Sequence, residues 1–481
     1  MKAIDMPPDA SSLMESTRAM GYSLQTAVAD IVDNSITAEA SQVDIFFSPA
    51  ERYIAFLDDG IGMSESELNR AMKYGSTGPS EQRNENDLGR FGLGMKTASL
   101  SQCEILTVIS KRDDCITARQ WDLNYIRREN AWKLLELSLE EMVALPKLDL
   151  LKKLPSGTLI VWQELGRMIQ GDKISQKMSE KMDMVRGHLS LVFHRYLSGE
   201  GRLGKFSIRM NNAQVEPSDP FLQHRGTQRM DAYAINIENF PPIEVVAHML
   251  PYPSKMSKED RRLLGITEDL QKNQGFYVYR NKRLIVWGTW FNRGKKDILS
   301  QLARIKIDVP TAFDHLWALD VKKSVANPPL SVRKNLDSLM ENLSSQSRRT
   351  WEFRGRKEMS ETVPNFWNRL KTRDGGVIYE INDKHPLISK MAEKFPGCEN
   401  DLKKILRLVA AALPVNYLMR DLNDTKTEIE NRNLYSEGDV RKLLDVFTAG
   451  LSQAKIAELC RKLRQAEPFV RYPRLIDELV K

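Results

Sequence analysis

Two hydrophobic periods alternate along the first part of the chain. Val43-Asp44-Ile45-Phe46-Phe47 and Tyr53-Ile54-Ala55-Phe56-Leu57 are short apolar runs rich in β-branched and aromatic residues, and they predict two strands separated by the turn formers Ser48-Pro49. Ile105 to Ser110 and Thr158 to Gln163 read the same way. Ahead of them, TAVADIVDNSITAEA follows a helical period. It sets Val28, Ile31, Val32 and Ser35 on one flank and Asp30, Asp33 and Asn34 together on another, at i, i+3 and i+4. Mixed segments of this kind, running to about Ser198, predict an α/β layer fold. The stretch 75–92, GSTGPSEQRNENDLGRFG, breaks the pattern with Gly, Ser and Asn, and a loop of that length predicts a functional lid or disorder.

Further on, FSIRMNNAQVEP alternates like a strand running into an Asn-Asn turn, so a second domain is expected to begin near Lys205. GFYVYRNKRLIVWG predicts two strands joined by a basic turn, Arg280-Asn281-Lys282-Arg283. From about Ser345 helical patterning dominates, most clearly where Leu402, Ile405, Leu406 and Val409 recur at i, i+3, i+4 and i+7. The resulting division is 1–200, 201–340 and a mainly helical 341–481.

Composition narrows the class. At 41% hydrophobic and 28% charged residues, the 481-residue chain is globular, and no apolar run approaches a membrane span. The start, MKAIDMPPDASSLMES, lacks the basic-then-apolar build of a secretory signal, so a cytoplasmic location is expected. Cys103, Cys115, Cys398 and Cys460 are scattered and predict reduced thiols, and the six histidines form no metal-ligand spacing, His188 and His194 included. A net charge of +7 permits contact with nucleic acid without requiring it.

Three segments carry candidate chemistry. On the first helix, the Asn34 oxygen is a hard neutral donor suited to Mg²⁺, and the Asp30 carboxylate one turn earlier is placed to orient or deprotonate water; the competing reading is an amphipathic helix with a solvated acidic face. In LDDGIGM, a strand runs into Asp58-Asp59-Gly60-Ile61-Gly62-Met63, where glycines admit a planar ligand and a carboxylate can accept from an exocyclic amine such as that of adenine; Asp-Gly is also an ordinary turn. In LGRFGLGMKTAS, Gly89, Gly92 and Gly94 lead into a helix from Met95, a build that cradles phosphate on backbone N–H groups, with Lys96 adding charge. It is neither a P-loop nor a dinucleotide fingerprint, since no GKS or GKT follows and the preceding segment is polar loop.

Taken in order and spacing, DIVDNS, DDGIGM, GRFGLGMKTAS and SGTLIVW resemble the nucleotide-binding motifs of the GHKL ATPases over about residues 20–165. That group holds gyrase B, the ninety-kilodalton heat-shock chaperone, MutL, the MORC proteins and the histidine kinases. The resemblance implies a two-layer Bergerat α/β sandwich. It makes Asn34 the Mg²⁺ ligand, Asp58 the adenine-reading carboxylate, and Gly60, Gly62 and Met63 the wall beneath the base. Gly89, Arg90, Phe91, Gly92, Leu93, Gly94, Met95 and Lys96 become the phosphate end of the lid, and Thr158 supports the adenine. Asp30 stands where the family usually has a glutamate base, one methylene longer, with Asp33 as the nearby alternative. FYVYRNKRLI and RIKIDVPTAFDHLWALDVKKS resemble a transducer domain, which makes Lys322 or Lys323 the candidate γ-phosphate sensor; an ordinary basic loop reads equally well there.

The implied function is Mg²⁺-dependent ATP hydrolysis driving lid closure and homodimerisation of a clamp. By likeness to prokaryotic MORC-like proteins it would act on DNA or a DNA-processing, phage-defence complex, with partner nuclease or helicase subunits and no membrane. Arg348-Arg349, Arg354 to Lys357 and Arg369 to Arg373, with Trp351, Phe353, Phe366 and Trp367 between them, are the candidate DNA-contacting segment, against a solvated surface with core aromatics. A chaperone and a slowly hydrolysing switch are the alternatives. A histidine kinase is disfavoured because the first histidine is His188.

Overall fold

The computed structural model describes residues 9–74 except 20, 94–166, 173–200 and, with short gaps, 206–313; beyond these it describes scattered positions between 317 and 337, then 366–411 and 436–480 with short breaks. The chain divides into two compact units, residues 1–296 with 300–347, and 348–481 with 297–299.

The first unit opens with helices α1 (Ala10–Arg18) and α2 (Leu24–Thr37), strands β1 (Gln42–Ser48) and β2 (Tyr53–Asp58), and helices α3 (Glu65–Met72) and α4 (Gly94–Gln102). It continues through β3 (Ile105–Arg112), β4 (Cys115–Asp122), α5 (Leu123–Glu129), β5 (Leu135–Glu136), α6 (Leu139–Val143), α7 (Leu148–Lys153) and β6 (Gly157–Gln163). Helices α8 (Ile174–Val192) and α9 (His194–Leu197) and strands β7 (Ser207–Met210) and β8 (Ala213–Gln214) complete one eight-stranded sheet, ordered β5-β4-β3-β6-β2-β1-β7-β8.

The central strands carry almost no polar alternation because both faces of the sheet are covered. Ile54, Phe56, Ile160 and Trp162 face a core built with α1, α2, α4 and α8, while Ala55, Leu57, Leu159 and Val161 pack against Met142 of α6 and Leu148 and Leu151 of α7. The four strands expected from the sequence are all present, and the fold is the α/β sandwich expected, thickened on its second face by two short helices. Caps explain where helices begin. The Ser23 hydroxyl accepts from Thr26 N–H at the start of α2, and Ser64 and Glu67 form a reciprocal capping box on α3.

The strand expected after Lys205 forms as β7 and runs into the Asn211-Asn212 turn, both residues at positive φ, and the turn leads into β8. β7 lies parallel to β1, in register Gln42↔Ser207 to Ile45↔Met210, and Arg209 forks onto Asp44 at 2.5 and 2.7 Å. The first sheet thus runs past residue 200 to Gln214.

A second, six-stranded sheet follows: β9 (Gln228–Arg229), β10 (Tyr233–Ile235), β11 (Ile243–Met249), β12 (Gly275–Arg280), β13 (Arg283–Thr289) and β14 (Ala303–Val309), with helix α10 (Lys258–Leu264) between β11 and β12. Its order is β10-β11-β14-β12-β13, with β9 against β11; β12 and β14 run parallel. β12 and β13 are the hairpin foreseen in the sequence. Its two-residue turn, Asn281-Lys282, has positive φ at both positions, the twist that suits a tight hairpin.

In the second unit, helices α11 (Pro386–Lys394), α12 (Glu399–Ala411), α13 (Glu437–Thr448), α14 (Gln453–Leu463) and α15 (Pro473–Val480) follow a hairpin of β15 (Trp367–Lys371) and β16 (Val377–Ile381). That hairpin was not foreseen. Along α12, Leu402 and Leu406 are half-buried whereas Ile405 and Val409 are exposed, so the apolar stripe is only partly covered. Of the basic stretch, Arg348, Arg349 and Arg354 to Lys357 lie outside the described residues.

Trp162 is fully buried and meets the Phe56 ring edge-on at 4.7 Å between centroids. Trp162→Ala should lower unfolding free energy by about 3–5 kcal/mol and Trp162→Phe far less; urea unfolding followed by circular dichroism of the full chain measures both.

Candidate functional site

Asp58 ends β2, paired in register with Thr158 of β6. Its side chain is buried at 6% exposure. One carboxylate oxygen accepts from Gly60 N–H at 3.1 Å and Thr158 N–H at 3.2 Å, and the other accepts from the Ser35 hydroxyl at 3.0 Å. A carboxylate offers about four acceptor positions, so these bonds fix its direction and leave capacity for a ligand's donor. Burial pushes its pKa up to about 6, against the lowering effect of those same bonds. Its neighbour Asp59 turns the other way and binds Ser41 N–H at 2.8 Å and Gln42 N–H at 2.9 Å, which pins the start of β1.

The loop after Asp58 is pressed against backbone. Gly62 has φ +67°, and a β-carbon there would lie 2.1 Å from the Lys111 carbonyl oxygen; one on Gly157 would lie 2.2 Å from the Asp58 carbonyl oxygen. Only glycine fits either place. Ser110, not singled out in the sequence, stitches this wall together. Its hydroxyl accepts from Met63 N–H at 2.8 Å, donates to the Gly157 carbonyl at 3.2 Å and meets the Thr158 hydroxyl at 3.1 Å. Ser35 was visible only as a member of the apolar helix flank. No sequence signal separates either serine from an ordinary strand or helix residue.

On α2, Asp30 is 5% and Asp33 1% exposed, so the solvated acidic face is excluded. Asp33 is held by Arg283 of β13, whose Nε lies 2.8 Å from both carboxylate oxygens. That ion pair occupies the Asp33 carboxylate. Asp30 remains beside the start of α4, where a β-carbon on Gly94 would be 3.7 Å from its Oδ2. The first turn of α4 presents backbone N–H groups that the helix itself cannot pair. Asn34 is half-buried, and its side-chain nitrogen has no hydrogen-bond partner.

Lys96 departs from expectation. Helical phase turns its side chain inward, where Nζ donates to the Ala71 carbonyl at 2.7 Å, and burial pulls the amine down to about 8. Its amine therefore serves the joint between α3 and α4, and its backbone N–H stays in the first turn of α4. Gly89, Arg90, Phe91, Gly92, Leu93, Lys322 and Lys323 lie outside the described residues. His194 is a core residue and His188 is half-buried beside Trp287; burial holds both down to about 3, and His194 bonds the Tyr279 hydroxyl at 2.7 Å.

A mixed sheet with helices on its face, an inward carboxylate closing β2 and an amide-bearing helix opposite define a nucleotide-pocket α/β sandwich. The comparisons agree. Residues 22–158 match the family described as histidine kinase-, DNA gyrase B-, and HSP90-like ATPase, and the chain carries a domain of that family, in its MORC- and MutL-like branch. It is 30% identical over 95 residues to ATPase morc-1 of Caenorhabditis elegans, 19% of this chain and 11% of that one. Against ATPase MORC2 of Homo sapiens it is 28% identical over 96 residues, 19% and 9% of the two lengths. Against DNA mismatch repair protein MLH3 of Saccharomyces cerevisiae it is 36% identical over 110 residues, 22% and 15%. The chain thus covers only a small fraction of each relative's length.

The carboxamide oxygen of Asn34 is a hard neutral donor of the kind Mg²⁺ takes, the unpartnered atom of that side chain being its nitrogen, and among the described residues no cluster of three His, Cys, Asp or Glu could hold a metal ion.

Because Asp58 holds its proton more tightly when folded than its ordinary value of 3.8, the folded state binds more protons between pH 4 and 6. Stability contributed by this group is present below that window and is lost as pH rises through it, by up to about 3 kcal/mol. Asp58→Asn, which keeps both N–H acceptor contacts, should flatten that slope in thermal melts taken across the same range.

Proposed function

We propose that this chain binds ATP with Mg²⁺ between α2, the 58–63 loop and the start of α4, and hydrolyses it with Asp30 as general base. The observation that carries the reading is the Asp58 carboxylate, buried at the end of β2, pre-aimed by three donors and with acceptor capacity to spare. Such a group selects an exocyclic amine, as adenine presents, over a carbonyl.

The phosphates then fall toward α4, whose free N–H groups favour anions. Mg²⁺ held through Asn34 would supply positive charge to the phosphate oxygens. Asp30 takes the proton of the attacking water. The shorter aspartate serves where a glutamate is usual because the start of α4 lies against it, a β-carbon on Gly94 falling in ordinary contact at 3.7 Å from Oδ2.

By likeness to its relatives, the cycle orders the 75–92 lid, brings two copies together and works as a clamp on DNA or a DNA-processing complex. Lys322 or Lys323 reports the γ-phosphate, and the basic 348–373 stretch contacts the nucleic acid. Support comes from the relatives, one of them a DNA mismatch repair protein, and from the net charge of +7. No helix among the described residues is long and apolar enough to cross a membrane.

Calorimetry of the full chain with Mg²⁺ should show ATP binding that Asp58→Ala and Asn34→Ala each weaken by about tenfold or more. GTP should bind far more weakly than ATP. Absence of ATP uptake by the wild type overturns the assignment. Light scattering and duplex-DNA binding, with and without a non-hydrolysable analogue, test the clamp: a monomer indifferent to DNA in both states removes it, and turnover raised by unfolded polypeptide but not by DNA favours a chaperone.

A further inference from the structure

The turn Asn281-Lys282 is gripped by the first sheet's own helices. The Tyr196 hydroxyl donates to the Asn281 carbonyl at 2.6 Å, and the Lys282 amine donates to the Glu200 carbonyl. The next residue, Arg283, is 4% exposed and held on several sides. Its guanidinium lies 5.7 Å from the Phe193 ring centroid, Nη1 donates to the Leu284 carbonyl at 3.1 Å, and Nε bisects the Asp33 carboxylate. Nη2 stands 4.0 Å from Asp30 Oδ1, within ion-pair range and beyond a hydrogen bond.

Arg283 therefore sits behind the base, with Gly94 and the phosphate end of α4 on the other side of Asp30. Two carboxylates one helical turn apart and nearly free of solvent repel each other, and this one cation faces both. Val309, the last residue of β14, is paired beside Arg280 at the tip of the same hairpin.

We propose that Arg283 is the positioning residue through which the second sheet governs hydrolysis: clamped on Asp33, it sets the Asp30 carboxylate at the start of α4, and a shift of the β12–β13 hairpin moves that carboxylate into or out of line. The inference rests on the ATPase reading above. Nucleotide recognition belongs to Asp58 and Asn34, so it stays outside the Arg283 contacts, and turnover and affinity should separate.

The test compares wild type, Arg283→Gln, Arg283→Lys, Asp33→Asn and the double variant Asp33→Asn/Arg283→Gln, as full chains, for Mg-ATP affinity by calorimetry and for kcat. Arg283→Gln should lose about tenfold or more in kcat with affinity kept within about twofold. Arg283→Lys should recover part of the loss, since it restores charge without the fork. The double variant should be no slower than the slower single one, because the two residues act as one unit. It also removes both charges together and avoids an unpaired buried ion, which protects folding if a single variant fails in melts. Unchanged kcat in Arg283→Gln, or additive losses, overturns the proposal while leaving the ATPase reading intact. A wild type that binds ATP and never turns it over overturns both this proposal and the base assignment.

Discussion

The molecule's first unit depends on placing one carboxylate at the end of a strand buried on both faces. Asp58 cannot be solvated there, so the fold brings it a hydroxyl from α2 and two backbone N–H groups, from its own loop and from β6. Those bonds determine more than the acid. They draw the end of α2 toward the 58–63 loop, an approach completed by Ile61 N–H on the Ala38 carbonyl at 3.0 Å, and they force glycine at 62 and 157, where backbone meets backbone. The pocket wall and the structural closure of the sheet are the same set of contacts.

A second buried charge decides how the two sheets of this unit meet. Burying Asp33 and Arg283 costs desolvation that a close ion pair only partly offsets, so such a pair contributes more to a defined relative placement than to stability. Here that placement fixes a hairpin of one sheet against the helix of the other that bears Asp30 and Asn34. The second sheet therefore lies one guanidinium away from the Asp30 carboxylate.

The division of labour among charged residues follows from neighbours rather than type. Asp58 and Asp59 are adjacent, yet one closes the pocket and the other anchors β1. Lys96 lies in a phosphate-type motif, yet helical phase takes its amine to the Ala71 carbonyl, 6.0 Å from the Tyr74 ring centroid. Arg209, in a strand legible in the sequence but without a partner there, secures the parallel pairing that lengthens the first sheet.

Element types, the four central strands, the β12–β13 hairpin and the motif positions around Asp30, Asn34, Asp58 and Gly94 were legible in the sequence, because hydrophobic period and glycine spacing are local properties of the chain. Which strands share a sheet was not legible: β7 reads as the start of something new until it is seen beside β1. Nor was the fate of the polar side chains on α2 and α4. Whether an acid on a helix face is solvated, paired or poised depends on what packs there, and the residue that settles it for Asp33 lies 250 positions away. A periodic pattern states which face turns inward, and only tertiary packing states what that face meets.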